Sequence, residues 1–368
     1  MKILQIIDSL SPGGAERMAV NLAISFQNAG IPNHLIVTRY IALDHSRIPS
    51  DIRINELGKR NFFDFLVFNK LFRLVKASCP DIIHAHSTSL FWAVFLKLLF
   101  KKSTLIWHDH YGLSDQLQSQ DRKLERFFLR YVDGIIPVNE KLERWVLSET
   151  SFQPSRIKVI SNFPILLRPF SNVRKLSDPI ILLQLANFRR QKNHYLAIEA
   201  LNVLCKEYGY NMELWLAGNT DIEPAYTIEV KNRISSLGLE NKVRILGGEC
   251  QVEDLLEKAA IGLLSSDSEG LPVSLLEYGL ANLPVVVTDV GECDLVLGHG
   301  EYGEVVAPGN THAFAESISK LVEDYEVALI KANKFKNKIE LEHGSKKFLQ
   351  IYTDFLFSLN GKNINKNK

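Results

Sequence analysis

Cysteine is scarce in this chain. Its 368 residues hold four, Cys79, Cys205, Cys250 and Cys293, widely spaced and with no C-x-x-C pair. That argues against a disulfide framework or a thiolate zinc site and fits a reducing compartment. Long apolar runs are also missing. The longest, Leu90 to Phe100, is interrupted by Lys97 and falls well short of the roughly 18 residues a membrane span needs. The opening run, Met1 to Ile7, is too short for the apolar core of a signal peptide and meets Asp8 at once. Neither sign of charge is in excess: 43 Lys and Arg against 42 Asp and Glu leave a net charge of +1. No basic field points to nucleic acid. There is no G-x-G-x-x-G fingerprint after the first strand candidate, which disfavours a dinucleotide site. No D-x-D stands at a strand end to hold a metal, so neither metal nor cofactor is expected.

What is present is ordinary globular composition, with 46% apolar residues, enough for two cores at roughly 150 residues per domain. Short β-type runs alternate with helix-length segments. Strands are expected at Ile3–Ile7, His34–Thr38, Ile82–His84, Thr104–Trp107, Gly134–Val138 and Lys158–Ile160. Further strands are expected at Ile180–Leu185, Met212–Leu216, Val243–Leu246, Ile261–Leu264 and Val285–Thr288. Most are continuously apolar, as parallel strands covered on both faces are. Helices are expected over Ala15–Gln27, Phe62–Lys76, Leu124–Tyr131 and Asn193–Glu207. The alternation breaks between Phe163 and Pro179, which hold three prolines and read as a linker. The expected fold class is α/β, with two Rossmann-like doubly wound parallel sheets binding ligands at their carboxyl strand ends. The domains would be 1–165 and 180–342, joined by 166–179, followed by an apolar helix over 343–360 and a disordered tail over 361–368.

Several loops carry chemistry. Gly13-Gly14-Ala15-Glu16-Arg17 lies between a strand and a helix, where bare backbone and free N–H groups suit a phosphate; a plain turn is the alternative. Asn187 to Asn193 (NFRRQKN) follows a buried strand and sets Arg189, Arg190 and Lys192 at a sheet mouth, suited to a diphosphate. In Ser265 to Gly279 (SSDSEGLPVSLLEYG), a helix opens near Pro272 with free N–H groups at Val273 and Ser274. Glu269 stands before that helix and Glu277 within it, each able to grip a diol, one on a sugar and the other on a ribose.

Together these segments resemble the retaining GT-B glycosyltransferases, specifically glycosyltransferase family 4. The E-x7-E pair Glu269 and Glu277 carries most of the likeness. GGAER, ISN up to Asn162, NFRRQKNH, LWLAG at Leu214–Gly218 and ILGG at Ile245–Gly248 follow in the family's order. The resemblance implies that Glu269 holds the donor sugar, Glu277 the ribose, Lys192 the diphosphate, and Leu271, Pro272, Val273 and Ser274 the sugar and diphosphate through backbone. It places the Gly14 loop over the phosphates and the base against Gly248 to Cys250. Two departures stand out. Ala186-Asn187 replaces the usual Gly-Arg, shifting the basic role to Arg189, and Asn162 is followed by Phe163.

Trp107-His108-Asp109-His110-Tyr111-Gly112 puts two histidines on one face of an extended chain. The family places a cleft histidine here. His108 fits its His-Asp form better, with His110 the alternative. Metal is disfavoured because no further ligands are spaced nearby. His84 and His86 form a similar pair, read as structural or acceptor-lining. Phe62 to Leu66 and Leu90 to Lys102 would touch a membrane or, in the plainer reading, form core helices.

The implied activity is metal-independent, retaining transfer from a UDP- or GDP-linked sugar to a glycan or lipid-linked acceptor, in cell-surface polysaccharide synthesis. A nucleotide-sugar epimerase and a degenerate sugar-nucleotide-binding protein are the rivals. A cytoplasmic enzyme is expected, free or held peripherally at the inner face of the membrane.

Overall fold

The computed structural model describes residues 1–11, 13–42, 48–61, 63–111, 122–170, 174–248 and 250–364, with side chains as far as 359. The chain forms two compact units, Met1–Phe163 with Ser345–Lys368, and Pro164–Gly344.

The first unit runs β1 (Ile3–Ile7), α1 (Gly14–Asn28), β2 (Asn33–Val37), β3 (Ile54–Glu56), α2 (Phe65–Ser78), β4 (Ile82–His86), α3 (Leu90–Leu99), β5 (Thr104–Asp109), α4 (Lys123–Phe128), β6 (Gly134–Pro137) and α5 (Glu140–Glu149). Its six strands are parallel in the order β3-β2-β1-β4-β5-β6. β1, β4, β5 and β6 are buried throughout, which explains their largely apolar sequences; Gln5, His84, His86 and His108 are buried among them.

The second unit runs β7 (Ile180–Leu185), α6 (His194–Lys206), β8 (Met212–Ala217), α7 (Pro224–Leu237), β9 (Val243–Gly247), α8 (Val252–Lys258), β10 (Ile261–Leu264), α9 (Val273–Leu280), β11 (Val285–Thr288), α10 (Cys293–Val296), β12 (Glu304–Val306), α11 (Thr311–Glu323) and α12 (Tyr325–Glu342). Its parallel sheet has the order β12-β11-β10-β7-β8-β9, the same winding as the first. The expected doubly wound α/β architecture is what folds. In each sheet the strand order reverses next to the first strand, at β1/β4 and at β7/β10, where ligands bind such sheets.

The last helix, α13 (Ser345–Ile364), belongs to the first unit. Phe348, Tyr352, Phe355, Leu356 and Leu359 are buried, a stripe at helical spacing worth roughly 1.5–3 kcal/mol per side chain. Gly134 of β6 admits them: a Cβ there would stand 2.6 Å from Leu359 and 3.0 Å from Phe355. This is the expected return of the C-terminal helix onto the first domain.

Several expectations need correction. β3 and β12 are edge strands of three residues, Ile-Asn-Glu and Glu-Val-Val, too short and polar to show a period. Lys158–Ile160 is no strand. It bonds one side of β6 through a bridge at Ile157 and the pairs Lys158 N–H to Ile135 O (3.0 Å) and Ile160 N–H to Pro137 O (3.2 Å). The proline-bearing stretch after Phe163 is laid along the second unit. Phe170 is buried there, and Arg174 donates to the carbonyls of Leu256, Ala259 and Ala281 at 2.7–2.9 Å. The helix expected from Phe62 begins at Phe65, and Phe62 lies outside the described residues. α13 carries helical backbone to Ile364, into the expected tail; 365–368 lie outside the described residues. α3 is no fully buried helix, since Phe95, Leu98 and Leu99 are exposed.

The burial stripe of α13 gives a matched test. Phe355→Ala should destabilise the protein by about 3 kcal/mol. Phe357→Ala, at a position 73% exposed, should stay within about 0.5 kcal/mol. Urea unfolding midpoints decide.

Candidate active site

The second unit's site is built at the β7/β10 reversal. After β7, the chain buries Phe188 and His194, stacked with ring centroids 4.4 Å apart. Both anchors force the residues between them outward. Asn193 closes the loop in the left-handed region (φ 41°), where its Oδ1 caps α6 by accepting from Leu196 N–H at 3.2 Å. After β10, Ser265 Oγ donates to Asn193 O at 2.9 Å, and Asp267 N–H to Gln191 O at 2.8 Å. The two loops are thereby stitched together.

That stitching brings Lys192 onto Glu269. The ammonium reaches both carboxylate oxygens, at 2.5 and 2.7 Å, and Ser266 Oγ donates to Oε1 at 2.6 Å. Glu269 is only 7% exposed at its side chain and Lys192 21%, so water screens the pair poorly. The loop around Glu269 is held from behind. Gly291 has φ +58°, and a Cβ there would lie 2.4 Å from Glu269 O. Only glycine fits both the conformation and the approach.

The three cations of this loop part company. Arg190 turns away to Glu229 at 2.8 Å and lies over the Tyr226 ring. Arg189 is half-buried and its guanidinium has no hydrogen bond or ion pair among the described residues. Asn187, in place of the expected arginine, is structural: its Oδ1 accepts from Asn219 N–H at 3.0 Å. Gly218 is the counterpart of that join, since a Cβ there would stand 2.0 Å from Ala186 O.

α9 is aimed at the same place. Tyr278 threads its hydroxyl between strands, accepting from Leu185 N–H at 2.7 Å and lying 3.2 Å from the carbonyls of Leu183 and Leu263. This pins the helix over β7 and β10. Pro272 is its N-cap, and the N–H groups of Val273 and Ser274 have no acceptor among the described residues. Glu277, one and a half turns on, is buried. Leu271 packs on the core beneath. Gly248 sits at the β9 end, where a Cβ would stand 3.2 Å from Asn219 N, and Cys250 bonds Gly247 O at 3.6 Å. Glu249, between them, lies outside the described residues.

In the first unit, the β4/β5 register sets His86 beside His108 and His84 beside Ile106. His84, His86 and His108 are therefore buried on one sheet face with Gln5 and Tyr352. Sequence spacing did not show this gathering, because the ligands come from two strands. Candidate ligand atoms of these three lie within 4.8 Å of one another, close enough for a metal ion. The argument from spacing against a metal therefore fails. Hydrogen bonds, however, already use every ring nitrogen of His84 and His86.

The protons can be placed. Tyr352 is fully buried, with its hydroxyl 2.9 Å from His84 Nδ1. A buried O–H must donate, so it donates there. His84 then donates from Nε2 to His108 Nδ1 at 3.1 Å. His108 keeps its proton on Nε2, which is buried and unmatched among the described residues. His86 Nε2 donates to Gln5 Oε1 at 3.0 Å, so its Nδ1 accepts from His110 Nε2, also at 3.0 Å. Burial first, then neighbouring histidines, holds His86 and His108 well below the ordinary range and His84 at about 3; burial lowers His110 to about 3 as well. All four are neutral. His108 offers a hydrogen-bond donor, not a base.

At Gly14, space is open around the Cα. Glu16 folds back beside it: a Cβ on Gly13 would stand 2.3 Å from its carboxylate, and Ser11 donates to it at 3.3 Å. Gly112 lies outside the described residues.

Two family models match the chain: "Glycosyltransferase Family 4" over residues 12–163 and "Glycosyl transferases group 1" over 169–341. The chain belongs to glycosyltransferase family 4. This glycosyltransferase is 24% identical to CapH, a capsular polysaccharide biosynthesis glycosyltransferase of Staphylococcus aureus, over 79% of this chain and 82% of that one. It is 22% identical to N-acetyl-alpha-D-glucosaminyl L-malate synthase of Bacillus anthracis, over 81% of this chain and 80% of that one. Among solved structures, Anabaena HepE in complex with UDP and glucose aligns with a TM-score of 0.74 at 18% identity, over 97% of this chain and all of that one. The last likeness confirms the GT-B fold.

The histidine network makes the enzyme acid-sensitive in a definite window. The folded values of His84 and His110, about 3, lie below the ordinary 6.5. The unfolded chain therefore binds more protons between those limits. Stability is whole above about pH 6.5 and falls as pH drops towards 3, by up to roughly 1.4 kcal/mol per pH unit per histidine. Urea unfolding at several pH values should show a flatter slope in His84→Gln/His110→Gln. Separately, Tyr352→Phe removes the donor that fixes the chain of tautomers. Nitrogen-15 NMR should show His84 and His108 change protonated nitrogen, while His86 and His110 keep theirs.

Proposed function

We propose that this enzyme moves a sugar from a nucleotide-sugar donor to a glycan or lipid-linked acceptor, with retention of anomeric configuration and without a metal. The observation that carries this is the Lys192–Glu269 pair at the strand-order reversal, beside unpaired Arg189 and below the open N-terminus of α9. An anionic diphosphate entering here meets Arg189, Lys192 and the N–H groups of Val273 and Ser274. As Lys192 turns to the phosphate, Glu269 is freed to accept hydrogen bonds from sugar hydroxyls. Glu277 serves the ribose, and backbone from Gly248 to Cys250 serves the base. Leaving-group charge is stabilised by these cations and amides. Attack on the face of departure, helped by the leaving phosphate, gives retention. In the first unit, the histidine the family's pattern assigns to the reaction is His108, with His110 beside it.

The comparisons support this reading. HepE was solved with UDP, with UDP and glucose, and with UDP-glucose. CapH acts in capsular polysaccharide biosynthesis. A uridine nucleotide is therefore the first donor to try, and a cell-surface polysaccharide or its lipid-linked precursor the first acceptor. No described helix is long and apolar enough to cross a membrane.

Thermal unfolding with UDP, GDP and ADP, each with and without EDTA, tests the donor site. A nucleotide at 100 times its Kd should add about 2.7 kcal/mol, unaltered by EDTA and lost in Lys192→Ala. Glu269→Ala should lower kcat/KM about 100-fold or more while nucleotide binding persists. NMR of the product should show the donor's anomeric configuration kept. Inversion, dependence on added metal, or donor isomerisation without acceptor would each overturn the corresponding part.

A further inference from the structure

The structure leaves a one-signed, partly apolar face on the first unit. α2 buries Val67, Leu71 and Val75 against the sheet, and its outward side carries Lys70, Arg73 and Lys76. Ahead of that basic stripe stand Phe63, Phe65 and Leu66, exposed by 72%, 76% and 80%. Core packing would hide such side chains, and three large ones within four residues at this exposure mark a contact surface; Asp64 between them is the α2 N-cap, accepting from Val67 N–H at 3.2 Å. α3 lies alongside, since Phe68 meets Trp92 and Phe95 edge-on with centroids 5.6 and 6.3 Å away. It adds exposed Phe95, Leu98 and Leu99, followed by exposed Lys101 and Lys102. Neither Phe65–Ser78 nor Leu90–Lys102 contains an Asp or Glu. On a chain of net charge +1, this is a local concentration of one sign.

We propose that this face docks the enzyme on a bilayer containing anionic lipids, Phe63, Phe65 and Leu66 entering the headgroup boundary while Lys70, Arg73 and Lys76 lie on the lipid phosphates. An apolar tip beside a basic stripe is the pattern an interfacial helix needs. Its location also suits the chemistry. α2 follows β3 and leads into β4, so its first turn stands at the carboxyl ends of the strands, the same end of the sheet as His86 and His110. A saccharide carried on a lipid at that surface is presented to this end of the unit. The inference rests on the transferase reading only for the identity of that acceptor.

Sedimentation with vesicles of phosphatidylcholine alone, or with a third phosphatidylglycerol, tests it. The wild type should partition to the anionic vesicles and release as salt rises. Lys70→Glu/Arg73→Glu/Lys76→Glu should weaken partition by about a hundredfold, at roughly fivefold or more for each charge. Phe65→Glu/Leu66→Glu should abolish it. Both variants should keep the wild-type melting temperature and its shift with UDP, which separates this result from any failure of the donor site. Equal binding to both vesicle types, or variants that bind as the wild type does, would overturn the proposal. So would a concentration-dependent dimer lost in Phe65→Glu/Leu66→Glu, because the face would then belong to a second copy of the chain.

Discussion

One ion pair governs the second unit's site. Lys192 and Glu269 come from loops after β7 and β10, the two strands between which the order of the sheet reverses. At a reversal, the helices following the two strands go to opposite faces, and the loops diverge. The pair closes the opening left by that divergence. It is poorly screened, and removing one partner would strand the other's charge. In the proposed transfer, phosphate would replace the carboxylate at Lys192 and sugar hydroxyls the ammonium at Glu269.

Backbone, not side chains, carries much of the remaining precision. Gly291 and Gly218 let loops approach to distances at which a Cβ would collide with carbonyls. The N–H groups at the start of α9 are aimed by Tyr278, a fully buried residue of the same helix pinned to β7 and β10. Such groups need no reorganisation when charge develops nearby, which is what electrostatic stabilisation of a leaving group demands.

The two units share one winding and use their sheets differently. Where the second places opposite charges, the first sets three histidines on β4 and β5 and His110 just beyond β5, all made neutral by burial. Tyr352 sets the tautomers on one branch and Gln5 on the other. The tyrosine is contributed by the last helix of the chain, so the proton on His108 depends on a residue 244 positions away, through His84. A histidine held neutral donates or accepts by geometry alone, without titrating in the ordinary range.

The sequence alone determined the parallel α/β class, because doubly covered strands such as Ile180–Leu185 and Ile261–Leu264 must be largely apolar without alternation. It also marked the motif loops that carry the family likeness, among them Asn187–Asn193 and Ser265–Gly279. It could not show β3 or β12, since edge strands carry no burial period. It could not separate Arg189 from Arg190, because Glu229, which captures the latter, is 39 residues away. Nor could it show that Lys192 rests on the carboxylate of Glu269, 77 residues on. The histidine pairs were visible, but strand register joined them into one network. Apolar runs alone did not reveal which side of α2 and α3 faces solvent. Local pattern records how a segment is covered; only the tertiary structure decides which distant charge or ring covers it.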